Sequence, residues 1–288
     1  MNKREFTEAV FEKLEKEGLN PKISNFDLIH AGKVIFLKSA HIVMKISIDM
    51  IYNDYMNGNT LSEICQEVID GWEKQKELNQ EIHNKHIDLW NVAKNYVRRR
   101  VFPRKCFRAV TENNIIYSEF LDLIVIYFVD FKGIVINITQ DILNIWGVRK
   151  QEIHQAALEN EKDFFIKGMG ELWFGEDPEL YRKLFNDTEP MYVLTNSKGF
   201  LASNGILNLN ILEQAYRRLG NRNYFILAGC IHELIFLPDI QFAEVRTEAE
   251  KLKKIVIDVN EKAIIAEERL TDSVYYYDHE TREVRIVG

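Results

Sequence analysis

The sequence predicts an α+β protein with mainly antiparallel sheets covered by helices, arranged in two lobes. Three observations support this prediction. Short β-prone runs follow one another along the chain with turn residues between them, as antiparallel hairpins require. Other segments repeat apolar residues at intervals of three and four, which is the pattern of helices that cover a sheet. Runs such as LIFL, which begins at Leu234, are apolar on both faces and are typical of buried strands.

The N-terminal segment predicts helices and short strands. Thr60 and Glu63 have the spacing of a capping box, so a helix is expected to begin there. Cys65 falls on the apolar face of that helix and is expected to be a small buried residue. In chain order the predicted elements are a helix over 3–17, strands over 27–30, 33–38 and 41–48, a helix over 48–55 and a helix over 60–78.

The middle of the chain predicts a helix followed by a pair of strands. The helix is expected over 86–102, and Pro103 ends it because proline cannot continue a helix. The two strands are apolar on both faces, which predicts that they are central in their sheet. In chain order the elements after the first helix are strands over 121–130 and 134–138 and helices over 140–146 and 149–160.

Residues 191–237 predict a compact unit of strand, turn, strand, helix, strand and strand. Asn210 is the expected N-cap of its helix, and Gly220 is the residue expected to end that helix. The last strand of the unit is expected over 231–237. In chain order the elements after this unit are a helix from Thr247 and a terminal hairpin with strands over 273–278 and 283–287.

The predicted domain boundary lies where the pattern is least regular. Residues 163–189 contain three glycines and an Asp-Pro step, which interrupt both helical and strand periodicity. The chain is therefore predicted to divide into an N-terminal α+β lobe, residues 1–165, and a C-terminal α+β lobe, residues 166–288.

Composition indicates an ordinary soluble globule and narrows the classes of function. The chain has 288 residues, of which 46% are hydrophobic and 28% are charged. Its net charge of −7 disfavours general nucleic-acid binding. Three widely spaced cysteines do not form a disulfide framework, so a reducing compartment, the cytoplasm, is expected. Neither a signal peptide nor an apolar run long enough to cross a membrane is seen, and no membrane association is expected.

One basic cluster interrupts this acidic chain. Its cations are interleaved with Phe102 and Phe107, which makes it a candidate site for phosphate groups with aromatic stacking surfaces. Two interpretations remain open. The cluster either binds an anion or a nucleic acid, or it is a helix C-terminus where cations are favoured and pair with carboxylates. The candidate anion-binding residues are Arg98, Arg99, Arg100, Arg104, Lys105 and Arg108.

Cys230 and His232 are the candidate catalytic residues. In the strand predicted over 231–237 and its approach, residues two apart share a face, so a thiol and an imidazole would point the same way. A Cys–His nucleophile requires an exposed sulfur with a lowered pKa. The alternative is a partly buried histidine bonded to the backbone, with Glu233 pairing with a cation on the opposite face.

Motifs for metal ions and cofactors are weak, so neither is expected. His83 and His86, with Glu81 nearby, have the spacing of a helical metal site, but the segment is polar and is expected to be a solvated face. Phe236 stands where an HExxH motif starting at His232 would need its second histidine. Phosphate-loop, nucleophile-elbow and paired CxxC motifs are missing from the sequence.

Several segments spread over most of the chain carry a resemblance to known families. They are IDMIYNDYMNGNTLSEICQEVI from Ile48, LDLIVIYF from Leu121, ILNIWGVRKQEIHQAALEN from Ile142, MYVLTN from Met191, Gly205-Ile206-Leu207, His232-Glu233-Leu234-Ile235 and DSVYYYD from Asp272. In these segments and their order the chain resembles DUF5688, a bacterial family of unknown function, and more distantly the YtpQ-like family. Where relatives have Pro-Ser-Ser before the His-Glu pair, this chain has Ala228, Gly229 and Cys230.

The resemblance implies a shared fold and a bacterial cytosolic origin but no reaction. It also associates the chain with mobile genetic elements and thereby with defence or counter-defence. The leading functional hypothesis is a non-enzymatic binding protein that recognises a protein partner or a small anionic ligand. The alternatives are an enzyme that uses Cys230 and His232, and a nucleic-acid-binding protein that uses the arginine cluster.

Overall fold

The computed structural model confirms the α+β class with antiparallel sheets. It describes residues 1–24, 34–39, 42–84, 89–131, 134–174, 191–239, 244–265 and 268–288. Its α-helices are α1 (Lys3–Lys16), α2 (Ile48–Met56), α3 (Leu61–Asn84), α4 (Trp90–Ala93), α5 (Phe107–Glu112), α6 (Gln140–Trp146), α7 (Lys150–Asn160), α8 (Met169–Phe174), α9 (Leu209–Arg218) and α10 (Val245–Ala263). Within the described ranges, none of these helices is both long enough and apolar enough to cross a membrane.

The strands of the described residues form three antiparallel sheets, and short 3₁₀ turns connect some of the elements. The 3₁₀ turns are Lys94–Tyr96, Arg104–Cys106 and Ala202–Leu207. The strands are β1 (Lys22–Ser24), β2 (Val34–Ser39), β3 (Ile42–Ser47), β4 (Val97–Pro103), β5 (Tyr117–Phe120), β6 (Leu123–Phe131), β7 (Ile134–Asn137), β8 (Phe164–Gly168), β9 (Tyr192–Asn196), β10 (Tyr224–Leu227), β11 (Leu234–Pro238), β12 (Val274–Asp278) and β13 (Glu283–Ile286).

The N-terminal segment has its own hydrophobic cluster, in which α1, α2 and α3 pack with β2 and β3. The predicted capping box is confirmed, because the Thr60 backbone N–H donates to Glu63 at 2.8 Å and the Glu63 N–H donates back at 3.2 Å. Cys65 is fully buried, as its place on the apolar face predicts. The strand predicted over 27–30 lies outside the described residues.

The four-stranded sheet is built around β6, which pairs with β4 along one edge and with β5 and β7 along the other. The helix predicted over 86–102 is wrong over most of its length. After residues 85–88, which the structure does not describe, the chain forms the short α4, a 3₁₀ turn and then strand β4. Val97 and Val101 are buried at alternate positions, and pairing with the apolar β6 overrides the helical tendency of the arginines between them.

The six-stranded sheet has the order β13-β12-β10-β11-β9-β8. Two of the strands predicted for the central unit differ from the structure. The segment predicted to be its second strand forms the 3₁₀ turn over 202–207. Within that turn Gly205 packs so closely that an added Cβ atom would lie 2.1 Å from the Leu194 side chain. Its last strand begins at Leu234 rather than at residue 231. The terminal hairpin of β12 and β13 is confirmed.

Helix α9 begins and ends through ordinary capping. The side chain of Asn208, not that of Asn210, caps α9, and Gly220 follows that helix with a φ of +74°. The largest hydrophobic cluster contains residues on both sides of position 165, including Val125 and Phe236. The division into lobes at that position stays a prediction.

Candidate functional site: an arginine-lined cavity

Strand β4 presents its arginines to two different environments. Residues two apart on a strand share a face, so Arg98 and Arg100 lie on the side of Phe102, and Arg99 lies with Val97 and Val101. The strand pairing sets Arg98 opposite Phe128 and Arg100 opposite Ile126. The guanidinium carbon of Arg100 lies 4.4 Å from the centre of the Phe102 ring, which is cation–π distance.

This face of β4 opens onto a cavity of about 340 Å³, which we call the arginine cavity. Its floor is the face of β4, β6 and β7 that carries Arg98 and Phe128, and two loop segments form its walls. The lining residues are Arg98, Arg99, Arg100, Phe102, Ile126, Phe128, Asp130, Val135, Asn137, Asn160, Glu161, Lys162, Asp163, Phe164, Asn196, Lys198, Phe200, Leu201 and Asn204.

Arg99 attaches β4 to its neighbouring helix through a buried ion pair. Its Nε and Nη2 atoms donate to the two carboxylate oxygens of Glu161, each at 2.7 Å. The side chains are only 1% and 5% exposed, so this bidentate pair is buried. Burial raises the pKa of the Glu161 carboxyl, while the Arg99 guanidinium acts against that rise. The Arg99 charge is therefore already matched, and its role is to attach β4 to the end of α7.

Two asparagine side chains cover the outer edge of β4. Asn204 accepts the backbone N–H of Val101 at 2.9 Å and donates to the Arg99 carbonyl at 2.7 Å, as a neighbouring strand would. Asn160 donates to the Val97 carbonyl at 2.9 Å. These contacts satisfy backbone groups that an edge strand would otherwise leave open, and they hold the arginines in place.

One wall of the cavity is a tight loop after β9. Asn196 accepts the backbone N–H groups of Lys198 at 3.0 Å and Phe200 at 3.2 Å, which closes the turn. Leu201 follows with a φ of +59°, an uncommon conformation for leucine. The Phe200 ring remains 51% exposed at the cavity. The loop therefore adds an aromatic surface opposite the cationic strand.

The charges around the cavity favour an anion. Five cationic and three carboxylate side chains line it, although the chain as a whole carries a net charge of −7. Glu161 is paired with Arg99, and Asp163 accepts the hydroxyl of Ser197. Arg98 donates to the Val97 carbonyl at 3.1 Å, and no ion pair among the described residues includes it.

Comparison with known proteins identifies the family. The model of a family of unknown function, DUF5688, matches residues 4–279. The chain belongs to DUF5688. A search of curated proteins and a search of solved structures each gave no match. The expected resemblance to DUF5688 is thus confirmed, and the similarity to the YtpQ-like family stays a prediction.

In this DUF5688 protein, Cys230 and His232 lie in a bend before β11 rather than within a strand. Cys230 forms an isolated bridge with Arg269, and burial raises the pKa of its thiol above the ordinary value. A raised pKa lowers the thiolate fraction on which nucleophilic chemistry depends. Cys230 and His232 were paired because they were expected to share one face of a strand. Since both lie before β11, that expected strand face is not formed.

His232 instead supports the wall of the arginine cavity. Its Nε2 lies 3.2 Å from Glu268, its Nδ1 accepts the Leu201 N–H at 3.5 Å, and its ring centre lies 5.0 Å from that of Phe200. The His232 carbonyl also accepts the Ala202 N–H at 3.1 Å. The His-Glu segment that carries part of the DUF5688 resemblance is thus attached to the loop that forms the cavity.

The remaining predicted residues lie elsewhere in the described structure. Arg104 pairs with Glu119 at 2.8 Å, Arg108 pairs with Glu112 at 2.7 Å, and neither they nor Lys105 line the arginine cavity. His86 and the side chain of His83 lie outside the described residues. Among the residues that are described, no group of three or more histidine, cysteine and carboxylate side chains is arranged to hold a metal ion.

Sequence reasoning did not find the asparagines or Glu161. Asn160 is the last residue of a predicted helix and Glu161 follows it, while Asn204 precedes a glycine, so each looks like an ordinary capping or turn residue. Their role depends on contacts more than 60 positions away, such as the 103-residue separation between Val101 and Asn204. Local patterns do not carry that information.

Proposed function

We propose that this DUF5688 protein is a binding protein for a small organic anion, which occupies the arginine cavity. The observation that carries the proposal is that Arg98 and Arg100 lie with Phe102 and Phe128 on one face of the sheet, within a cavity of about 340 Å³. Arginine is suited to carboxylate and phosphate groups because its guanidinium donates two parallel hydrogen bonds.

The ligand is expected to combine an acidic group with an apolar, planar body. The acidic group would contact Arg98, and Lys162 and Lys198 add positive charge at the walls. The body would lie between the apolar floor and Phe200, since ligand sites generally combine an apolar lining with few convergent polar groups. The cavity volume lies near the lower end of the range for small-molecule sites, which disfavours a polymer as the occupant.

The test uses 2-naphthoate, phenyl phosphate and the uncharged 2-naphthamide in calorimetric titrations at low salt. The two anions are expected to bind, and 2-naphthamide is expected to bind at least about tenfold more weakly, because it lacks the charge-assisted hydrogen bond. Arg98→Gln should reduce the affinity for both anions by a similar factor. Increasing salt should weaken anion binding but have little effect on the amide.

The matched control is Arg108→Gln, which makes the same change in net charge at an arginine outside the cavity. It is expected to leave all affinities unchanged. Equal binding of 2-naphthoate and 2-naphthamide, or equal effects of the two substitutions, would contradict the proposal. A gel-shift titration with single-stranded DNA tests the nucleic-acid alternative, since binding that falls steeply with salt would favour a polymer instead.

The other expectations stay predictions. They are recognition of a protein partner, a Cys230–His232 enzyme, a cytoplasmic location, and a role with mobile genetic elements in defence or counter-defence. Anion binding is compatible with the last of these, but it does not depend on it.

A further inference from the structure

A second cavity lies against the opposite face of β6 from the arginine cavity. Its floor includes Val125 and Tyr127, whereas the floor of the arginine cavity includes Ile126 and Phe128. Its volume is about 500 Å³. We call it the tyrosine–histidine cavity, because Tyr127 and His154 meet at one end of it.

Two hydroxyl groups and one imidazole, each from a different element, form a hydrogen-bonded chain at that end. The Tyr127 hydroxyl, on β6, lies 3.2 Å from the Ser118 hydroxyl on β5 and 3.0 Å from His154 Nδ1 on α7. Tyr127 is 1% exposed, so its hydroxyl is buried beneath the two more accessible groups. A buried polar chain of this kind is held by its neighbours and has a defined direction of donation.

Burial raises the pKa of Tyr127 and lowers the pKa of His154, which favours a protonated phenol and a neutral imidazole. In the neutral tautomer that carries its proton on Nε2, His154 Nδ1 is an acceptor, and Tyr127 donates to it. Ser118 then donates to the Tyr127 oxygen, and the Ser118 oxygen still has lone pairs that can accept a hydrogen bond.

The rest of the lining is mostly aliphatic. Leu207, Leu209 and Leu212 contribute from the 3₁₀ turn and α9, and Val284 contributes from β13. Leu209 is 40% exposed, so it stands at the rim where a molecule would enter. The cavity therefore has an apolar body and one polar end.

The charged side chains on the wall are largely neutralised by partners. Arg99 pairs with Glu161 at 2.7 Å, Glu119 with Arg104 at 2.8 Å, and Arg282 with Glu213 at 3.3 Å. The arginine cavity has an excess of cations, but this cavity contains two arginines and two glutamates. An uncharged occupant matches this balance, because a charged one would lose its hydration without gaining an opposite charge.

We propose that the tyrosine–histidine cavity is a second binding site, for a small uncharged molecule with an apolar body and a hydroxyl group that donates to the Ser118 oxygen. An alcohol or a phenol has this chemistry, whereas an ether or an acid anion lacks the donor. The two cavities share Arg99, which is paired with Glu161, but the Ser118–Tyr127–His154 chain lines this cavity and not the arginine cavity, so the site does not depend on the anion-binding proposal.

The test compares p-cresol with 4-methylanisole, which has the same ring and methyl group but no hydroxyl proton. Methyl NMR of protein labelled at leucine and valine reports binding through the signals of Leu207, Leu209 and Val284. Both probes should shift these signals, and p-cresol should bind about five- to tenfold more tightly, the usual contribution of one hydrogen bond.

Ser118→Ala should reduce the affinity for p-cresol to that for 4-methylanisole and leave the latter unchanged. Tyr117→Phe is the matched control, since Tyr117 is the neighbouring residue on β5, belongs to a different hydrophobic cluster and does not line the cavity. Leu209→Glu, at an exposed position where an acidic residue suits the start of α9, should weaken both probes.

Three results would overturn the proposal. The first is equal affinity for p-cresol in the wild type and in Ser118→Ala. The second is a set of shifted signals that excludes the three reporter methyl groups. The third is loss of p-cresol binding in Arg98→Gln, which would place the probe in the arginine cavity instead.

Discussion

Adjacent arginines on the two faces of β4 differ in almost every physical respect. Arg99 is 1% exposed and donates to both carboxylate oxygens of Glu161, whereas Arg98 is partly exposed at the arginine cavity and takes part in no ion pair of the described residues. The pleat of the strand alone separates them. A run of basic residues in a sequence therefore does not define a basic surface until its secondary structure is known.

The largest expected effect is on stability and belongs to the buried face. Arg99→Met leaves the Glu161 carboxylate buried without its partner, which should lower the free energy of unfolding by about 3–5 kcal/mol. Arg98→Met should change it by no more than about 0.5 kcal/mol, because no ion pair of the described residues includes that partly exposed side chain. Urea denaturation of the two variants measures the difference.

The double variant Arg99→Met/Glu161→Leu separates loss of a charge partner from loss of packing. It should recover most of the stability, since replacing a whole buried ion pair by apolar residues is often neutral. Equal destabilisation by Arg98→Met and Arg99→Met would show that the two faces of β4 are not as different as their burial indicates.

The second-largest expected effect is also on stability, and it comes from the outer edge of β4, where the strand's backbone groups are bonded to Asn204. Asn204→Ala removes the acceptor for the Val101 N–H and the donor for the Arg99 carbonyl, so two backbone groups lose their partners. The free energy of unfolding should fall by about 2–4 kcal/mol. Anion affinity should fall as well, because Arg98 and Arg100 depend on the position of this strand.

Asn137→Ala is the control for this edge effect. Asn137 lines the same cavity from β7, so the substitution makes the same chemical change without removing a contact to β4. It should leave stability nearly unchanged. If Asn137→Ala and Asn204→Ala were equally destabilising, the edge contacts of Asn204 would not be the source of the effect.

Much of the fold was predictable, because periodic apolar residues report directly on which side of an element is buried. Local signals added to this: the spacing of Thr60 and Glu63 predicted the capping box, and two β-prone runs with a short connection predicted the terminal hairpin. The predicted helix over 86–102 was wrong because the arginines of β4 have good helical propensity, and only pairing with β6 decides in favour of a strand. The turn over 202–207 depends on the close approach of Gly205 to Leu194, a contact that no local pattern records.

The candidate site was predictable only in part. The sequence singled out Arg98, Arg99 and Arg100, and all three line the arginine cavity. It did not separate them by face, and it could not identify Glu161 as the partner of Arg99, since the two are 62 positions apart in the sequence. The start of the strand predicted over 231–237 was wrong for a related reason, because a bend that includes His232 precedes β11.

The smallest expected effect is a change in the titration of His154, which reports on the Arg99 face alone. Burial, and then the charges of Arg99 and Lys150, hold the pKa of His154 below its ordinary value of 6.5. Removing Arg99 in the stable Arg99→Met/Glu161→Leu variant should therefore raise this pKa, whereas Arg98→Met should leave it unchanged. Histidine NMR signals followed as a function of pH measure both.

The same shift gives a pH dependence of stability with a defined sign. Because the folded pKa of His154 is lowered, the unfolded chain binds more protons than the folded one just below pH 6.5. This group should therefore reduce stability as the pH falls from about 6.5 and stop doing so below its folded pKa. His154→Gln should remove that part of the dependence. An unchanged pH profile in this variant would show that His154 is not the source of the dependence. A His154 pKa that follows Arg98 rather than Arg99 would mean that the charge of Arg99 does not act on the face of the sheet where its side chain lies.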